Sequence, residues 1–551
     1  MKSILMFTAF AAAAWAGTCP AGVDPAQLLQ QTPWAFQTTN SNPDVFEPAM
    51  VGVFRALPGG VLQVTATTQY SGRILRGAQS TGRYIVYPDC SGGELLLNSI
   101  TFFGGSGGLQ LEFTFAKNFT ELLLVQDGST DPVGGFALTG FAHRAPNGCP
   151  AGLTNPLNLL NGMQYAFRLY PGTANGSNSV GTISAAVTPA GGVLSGVETG
   201  ITGGNFPGAG IPFRRNPIGG RYIMNADCSG GELLITGRPS YAGQLQLEFY
   251  FSSPDFSEIV LLNDYLNNTP VPIGPQFFTT PVAGIGRKVT ATCPADAAQV
   301  LLRTPWAFQI AGNDDNRGLA VAVGTFRALP GGTLQITATT EVNKTVFRGG
   351  QYSGRYIVYP DCSGGELMFM INSMPVQLEF VYSDAFDEMY LVTDSVQTVE
   401  DIAGGVARRA PAACPAGLTN PLQLLSGVMW SFRTYTAQQE FNVGQIRDWS
   451  ASVGMFTPFT LGSLGLLNGV ETINNTSFRG GQVTRLAPIS GRYQVYPDCT
   501  GGEIMLMNRG SASPLQLEFV YSSPNFDELL FMSDSVNDKD SSVVIGEAKN
   551  F

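Results

Sequence analysis

Histidine is all but missing, His143 being the single one in 551 residues. A Ser-His-Asp triad or a histidine-based metal site repeated along the chain is therefore excluded. Charge is scarce as well, at 13% of residues, and it leans acidic, with 41 Asp and Glu against 30 Lys and Arg. A net charge of −11 with no basic stripe repels phosphate backbones, so nucleic acid is not expected as a partner. Long apolar runs are lacking too. The stretch Ile4 to Trp15 falls short of the roughly 20 residues that a membrane helix needs. It follows Lys2 and leads into the small-x-small step Ala14-Trp15-Ala16, which is the build of a secretory signal peptide. Residues 1–16 are expected to be that signal, with an exported, extracellular or periplasmic chain starting at Gly17. A lipoprotein is not expected, because Thr18 stands where a small Gly or Ala should precede Cys19.

Turn residues and alternation are abundant. Gly counts 67 and Pro 35, which points to β structure, and a hydrophobic share of 44% argues against disorder. In Leu109-Gln110-Leu111-Glu112-Phe113-Thr114-Phe115 the apolar residues share one face and the polar residues the other. Such a strand buries one side. The same split returns over 245–251, 376–382 and 515–521. Steps such as Pro58-Gly59-Gly60 and Ser91-Gly92-Gly93 read as hairpins.

The stretch Gly82-Arg83-Tyr84-Ile85-Val86-Tyr87-Pro88-Asp89-Cys90-Ser91-Gly92-Gly93-Glu94 recurs around Cys228, Cys362 and Cys499, a period of 134 to 138 residues. Each unit opens on Cys-Pro (Cys19, Cys149, Cys293, Cys414) and continues with a first-strand aromatic (Trp34, Tyr165, Trp306, Trp430). Each closes with a Leu-Glu-Phe strand and a Phe-x-Glu step into an apolar strand. So long a period marks whole domains, expected at 17–147, 148–291, 292–412 and 413–551. Repeats 1 and 3 share Thr-Pro-Trp-Ala-Phe-Gln, whereas repeats 2 and 4 share Gly-Val-Glu-Thr. The order is A-B-A-B, and the two kinds either differ in task or pack on each other. Seven or eight strands per unit predict an all-β chain of four tandem antiparallel barrels or compact sandwiches.

The eight cysteines fall two to a unit. Pairing across units would strand Cys19 and Cys499 at opposite ends. Bonds are therefore expected at Cys19–Cys90, Cys149–Cys228, Cys293–Cys362 and Cys414–Cys499. Each closes a loop of 69 to 85 residues, worth roughly 4 kcal/mol through chain entropy.

An early Trp-x-Phe strand, a Pro-Gly-Gly hairpin and Gly-x-Tyr-x-Val-x-x-Asp-Cys-x-Gly together resemble secreted bacterial repeats with an allene-oxide-cyclase-like barrel. They are more distantly similar to calycins, whose first-strand Trp closes one barrel end. The resemblance runs through all four units and implies a barrel. It implies no activity, and the plant cyclase's active-site residues have no match here.

Four recurring polar sets are candidates for chemistry. They are the Gly-Arg-Tyr arginines (Arg83, Arg221, Arg355, Arg492), the glutamates after Gly-Gly (Glu94, Glu232, Glu366, Glu503), the Leu-Glu-Phe glutamates (Glu112, Glu248, Glu379, Glu518) and the Phe-x-Glu glutamates (Glu121, Glu258, Glu388, Glu528). Arg and Glu gathered in a barrel mouth would bind a ligand or serve acid–base catalysis. Paired across strands on a solvent face, they would be structural. His143 reads as a linker residue without an equivalent in the other units. The aspartates before the second cysteine (Asp89, Asp227, Asp361, Asp498) should bond the backbone two residues on. The first-strand aromatics belong in a core, and Trp449 is the better candidate for exposure. Neither a cofactor nor a metal is expected. The chain reads as a non-catalytic, multivalent module for an extracellular ligand (glycan, small apolar molecule or protein). A surface or matrix spacer is the alternative, and a Glu/Arg enzyme inside a barrel is a third reading.

Overall fold

In a computed structural model the chain forms four closed antiparallel barrels of eight strands each. The described residues are 19–551 apart from 21, 41–48, 71–72, 99–107, 130–137, 172–177, 202–211, 239–243, 264–281, 314–318, 343–344, 372–373, 394–401, 437–448, 478–479, 510–513 and 534–543. The signal segment 1–16 lies outside them, as does the side chain of Trp449.

Within every barrel each strand pairs with the next in sequence, and the eighth returns to the first. Trp34–Asn40 pairs with Leu138–Arg144, Gln164–Pro171 with Val282–Lys288, Trp306–Asn313 with Ile402–Arg409, and Trp430–Thr436 with Val544–Asn550. This closure separates a barrel from a sandwich and leaves no unpaired edge.

The barrels are filled. Trp34, Trp306 and Trp430 are fully buried, and Tyr165 nearly so. The Trp34 ring lies parallel to Phe54 at 6.4 Å, while its Nε1 donates to the Leu29 carbonyl at 3.1 Å. Leu29 belongs to a one-turn helix, Gln27–Gln30, that stoppers the barrel end. Trp306 repeats both contacts with Phe326 and Leu301.

All four bonds join cysteines of the same unit, with separations of 71, 79, 69 and 85 residues. Each ties the leading segment to the turn after the fourth strand. There Asp89 Oδ1 accepts from Ser91 N at 3.0 Å, and Asp227, Asp361 and Asp498 do the same two residues on. The second cysteine of each unit has a positive φ, 54° to 59°. The aspartate bonds hold it in a conformation that a side chain ordinarily avoids. A Cβ on Gly93 would stand 2.0 Å from the Ile85 carbonyl, so the Gly-Gly step after the cysteine is a steric requirement.

The barrels are not strung in a line. The outer faces of the first and second strands of barrel 1 (Ala35, Val51) pack on the sixth to eighth strands of barrel 2 (Tyr250, Val260, Leu262, Ala283). Barrel 2 meets barrel 3 through Ala166 and Val180 on Val381, Tyr390 and Val392. Barrel 3 meets barrel 4 through Val321 and Val323 on Val520, Leu530 and Met532. Barrel 4 then returns to barrel 1 through Ala451 and Val453 on Ala116, Leu123 and Val125. A head-to-tail contact that closes makes a ring, here within one chain.

Candidate functional site

The seventh strands lie where barrels meet. They span Glu121–Ser129, Glu258–Asn263, Glu388–Thr393 and Glu528–Ser533. One face of each looks into its own barrel and the other onto its neighbour, so the latter three are buried at every residue. The first residue of each is the Phe-x-Glu glutamate. Antiparallel register sets it opposite a basic residue of the eighth strand: Glu121 faces His143, Glu258 faces Arg287, Glu388 faces Arg408 and Glu528 faces Lys549. On the first strand beside each cation stands a small residue, Ala35, Ala166, Ala307 or Ser431. That leaves the long side chain room to reach across the seam.

Each cation therefore bridges two barrels. His143 Nε2 lies 3.3 Å from Glu121, and its Nδ1 bonds Glu258 of barrel 2. Arg287 Nε meets Glu258 at 2.8 Å, and its Nη1 meets Glu388 of barrel 3 at 2.8 Å. Arg408 Nε meets Glu388 at 2.8 Å, and its Nη1 bonds Glu528 of barrel 4. Lys549 Nζ stands 4.0 Å from Glu528 and 2.5 Å from Glu121 of barrel 1. The circuit closes. Carboxylates and cations alternate around all four barrels, and within these eight groups the charges balance when His143 is protonated; Lys117, Arg433 and Glu547 adjoin them.

The electrostatics agree with that state. Burial works against a charged imidazole, but the Glu258 and Glu121 carboxylates outweigh it and raise the His143 pKa to about 9. Both ring nitrogens face carboxylates, which requires both to donate. For Glu121, burial is again opposed, here by Lys549 and His143, which hold the carboxyl well below its ordinary range. Glu388 is held down, against burial, by Arg287 and Arg408. Burial works against the Lys549 ammonium too, but Glu121 and Glu547 raise its pKa. A cavity of about 350 Å³ opens over the seam of barrels 1 and 2, lined by Glu121, His143, Glu258, Arg287 and Ser257. A general base for neutral pH needs a pKa near 7; this histidine is held charged and these carboxylates ionised, which suits a clasp.

The reading of His143 as a linker residue is corrected by its place on the eighth strand, where Arg287, Arg408 and Lys549 are its counterparts. The signal lay in the unit ends, Ala-His143-Arg144, Gly-Arg287-Lys288, Ala-Arg408-Arg409 and Ala-Lys549-Asn550. Identity hid what charge and position shared.

The Leu-Glu-Phe glutamates and the Gly-Arg-Tyr arginines are not brought together. Glu112, Glu248, Glu379 and Glu518 are buried on the sixth strands, whereas Arg83, Arg221, Arg355 and Arg492 are exposed on the fourth, with the fifth strand between. The cross-strand neighbour of Glu112 is Glu94, and that of Arg83 is Leu96. Two of these glutamates accept from a third-strand threonine of the preceding barrel, Glu248 from Thr67 at 2.5 Å and Glu379 from Thr199 at 2.7 Å.

The alternation of units has a packing basis. Gln37, which ends the A-type motif, donates to the Leu261 and Gly284 carbonyls of barrel 2 at 2.8 and 2.9 Å. Gln309 does the same to Phe531 and Gly546 of barrel 4. B-type units carry Arg168 and Arg433 there, and Arg433 bonds Glu547 at 2.8 Å. The B-type Gly-Val-Glu-Thr glutamates hold arginines of their own barrels, Glu198 with the buried Arg238 and Glu471 with Arg509.

No family model matches the chain, and no curated protein matches it. Among solved structures it is similar to a double mutant of the vaccine antigen transferrin binding protein B from Haemophilus parasuis, at 9% identity over 95% of this chain and 96% of that one, with a TM-score of 0.19. It is also similar to isotype 1 transferrin binding protein B from serogroup B Neisseria meningitidis, at 10% identity over 78% and 84%, with a TM-score of 0.19. Likeness of this degree carries no argument about either fold or function.

Proposed function

We propose that the chain is an exported, non-catalytic binding protein in which four barrels act as one block and three of them offer the same outer patch to a repetitive extracellular ligand. One observation carries this reading. On the fourth strand, Arg83, Arg221, Arg355 and Arg492 are exposed at equivalent positions, and two residues on stand Ile85, Ile223 and Ile357, 59%, 58% and 50% exposed. A large apolar side chain left in water beside a cation, at one place on three barrels, fits a contact surface. Gln494 takes that place in barrel 4. Two of the buried Leu-Glu-Phe glutamates, Glu248 and Glu379, bond the preceding barrel and so help to space the patches. A ligand with repeating units, such as a glycan, would gain avidity from patches at fixed separation. The signal-like sequence of residues 1–16 supports this reading, as do the four bonds, which suit an oxidising compartment. In this reading each unit is an allene-oxide-cyclase-like barrel that serves as a scaffold, without the cyclase's active-site residues.

An array of neutral and acidic glycans probed with the mature chain tests the reading. Saturable binding that falls stepwise as Arg83→Ala, Arg221→Ala, Arg355→Ala and Arg492→Ala are combined is expected. Binding indifferent to all four substitutions would overturn it. The apolar-filled barrels favour a second reading, an inert surface block, and silence across the array would speak for that one.

A further inference from the structure

One first-strand position separates the barrels on the inner side of the ring. A-type units place Gln37 and Gln309 there, and B-type units place Arg168 and Arg433. Across from them on the eighth strands stand Phe141 and Val406 in the A type, Ile285 and Glu547 in the B type. All four barrels share this layer. Tyr170 of barrel 2 bonds Gln37 of barrel 1, and the Arg433 guanidinium of barrel 4 lies 5.7 Å from the Phe141 ring of barrel 1. Arg168 of barrel 2 reaches barrel 3, where a Cβ on Gly404 would stand 3.3 Å from its Nη2. Phe141, Ile285, Val406, Glu547 and Arg168 all keep partial exposure, so water reaches the layer.

The two arginines differ in what faces them. Arg433 Nη2 donates to Glu547 Oε1 at 2.8 Å, while Lys549 of the same barrel and Arg408 of the preceding one lie 3.4 and 3.6 Å from Oε2. Burial and the nearby Glu121 work against the Glu547 carboxylate, yet Lys549, Arg433 and Arg408 hold its pKa down at about 2. Register gives Ile285 the same set of cations: Arg168 across from it, Arg287 on its own strand and His143 of the preceding barrel. Only the carboxylate is missing. Among the described residues Arg168 forms no ion pair, and its buried Nε has no hydrogen-bond partner. Its guanidinium lies 5.4 Å from the Tyr170 ring. Burial pulls its pKa down against Tyr435, Tyr170, Tyr390 and Glu388, whereas at Arg408 burial is outweighed by Glu528, Glu388 and Glu547. A guanidinium taken out of water without an anion is costly.

We infer that the inner face of barrel 2 binds a small carboxylate anion, which lies over Ile285 and accepts from Arg168 as Glu547 accepts from Arg433. The site is independent of the arginine–isoleucine patches on the fourth strands.

Calorimetric titration of the mature chain with sodium acetate, and with acetamide as the uncharged counterpart, tests it. Saturable binding of acetate is expected, with acetamide at least tenfold weaker. Arg168→Gln installs the A-type residue and should weaken acetate at least tenfold, with the urea midpoint reporting that the chain is folded. Ile285→Glu should supply the carboxylate from within and abolish acetate binding. No acetate binding by the parent chain, or an affinity unchanged in Arg168→Gln or in a folded Ile285→Glu chain, would overturn the site and leave the patch reading untouched.

Discussion

Replacing His143 by arginine isolates the contribution of its proton. In the folded chain Glu258 and Glu121 raise the imidazole pKa to about 9, whereas an unfolded histidine titrates near 6.5. A group whose folded pKa is raised stabilises fully below the unfolded value, and that stabilisation is lost as pH climbs through the folded one. The difference amounts to about 3 kcal/mol, disappearing between about pH 6.5 and 9. The charges around His143 are Glu121 on its own sheet and Glu258 across the seam, with Arg287 and Lys549 beyond those carboxylates and Lys117 and Arg144 lining the same cavity. Arginine already fills the equivalent place in barrels 2 and 3, and it stays charged throughout this range. His143→Arg should therefore match the parent near pH 6 and exceed it by about 3 kcal/mol at pH 10. Urea midpoints followed by tryptophan fluorescence at pH 6, 8 and 10 measure this. Tyrosines and lysines titrate in both proteins, so only their difference matters. Parallel pH curves would refute the reasoning.

Three further outcomes follow from the same geometry. Glu388→Gln leaves Arg287 and Arg408 facing a neutral amide in a buried site and should cost about 3–5 kcal/mol, read as a fall in urea midpoint. On acidification the carboxylates Glu121, Glu258 and Glu388, whose pKa values are lowered in the fold, contribute stability above the unfolded carboxyl value and lose it as pH falls through their folded ones. The ring should thus loosen below about pH 4, with solvent exchange of seventh-strand amides rising before that of the fourth strands. Gln37→Ala removes three bonds across one seam, leaving the Leu261 and Gly284 carbonyls without that donor and the Tyr170 hydroxyl without that acceptor, which should cost about 1–3 kcal/mol of thermal or urea stability.

The barrels were legible in the sequence because period-two alternation, glycine turns and cysteine parity all act within a unit. The ring was not, because its contacts join residues hundreds of positions apart. Its trace was nevertheless present. The runs that follow the Phe-x-Glu step, such as Leu122-Leu123-Leu124-Val125 and Ile259-Val260-Leu261-Leu262, do not alternate. An antiparallel strand that is apolar on both faces must have both covered, so a second barrel had to lie against it. The charge circuit escaped for a different reason. Glutamate recurs there by identity, but its partners are His, Arg, Arg and Lys, which share only charge and register. The A-type glutamine marked an alternation visible in the sequence, but its partners are backbone carbonyls, which no side-chain pattern reveals.

Small-angle X-ray scattering of the mature chain addresses ring closure most directly. A single compact body of this length has a radius of gyration of about 24 Å, and the four-barrel ring should scatter close to that value with a single-peaked distance distribution. A markedly larger radius, with separate peaks at successive barrel spacings, would mean that barrel 4 does not return to barrel 1 and that the circuit through Lys549 and Glu121 is not formed.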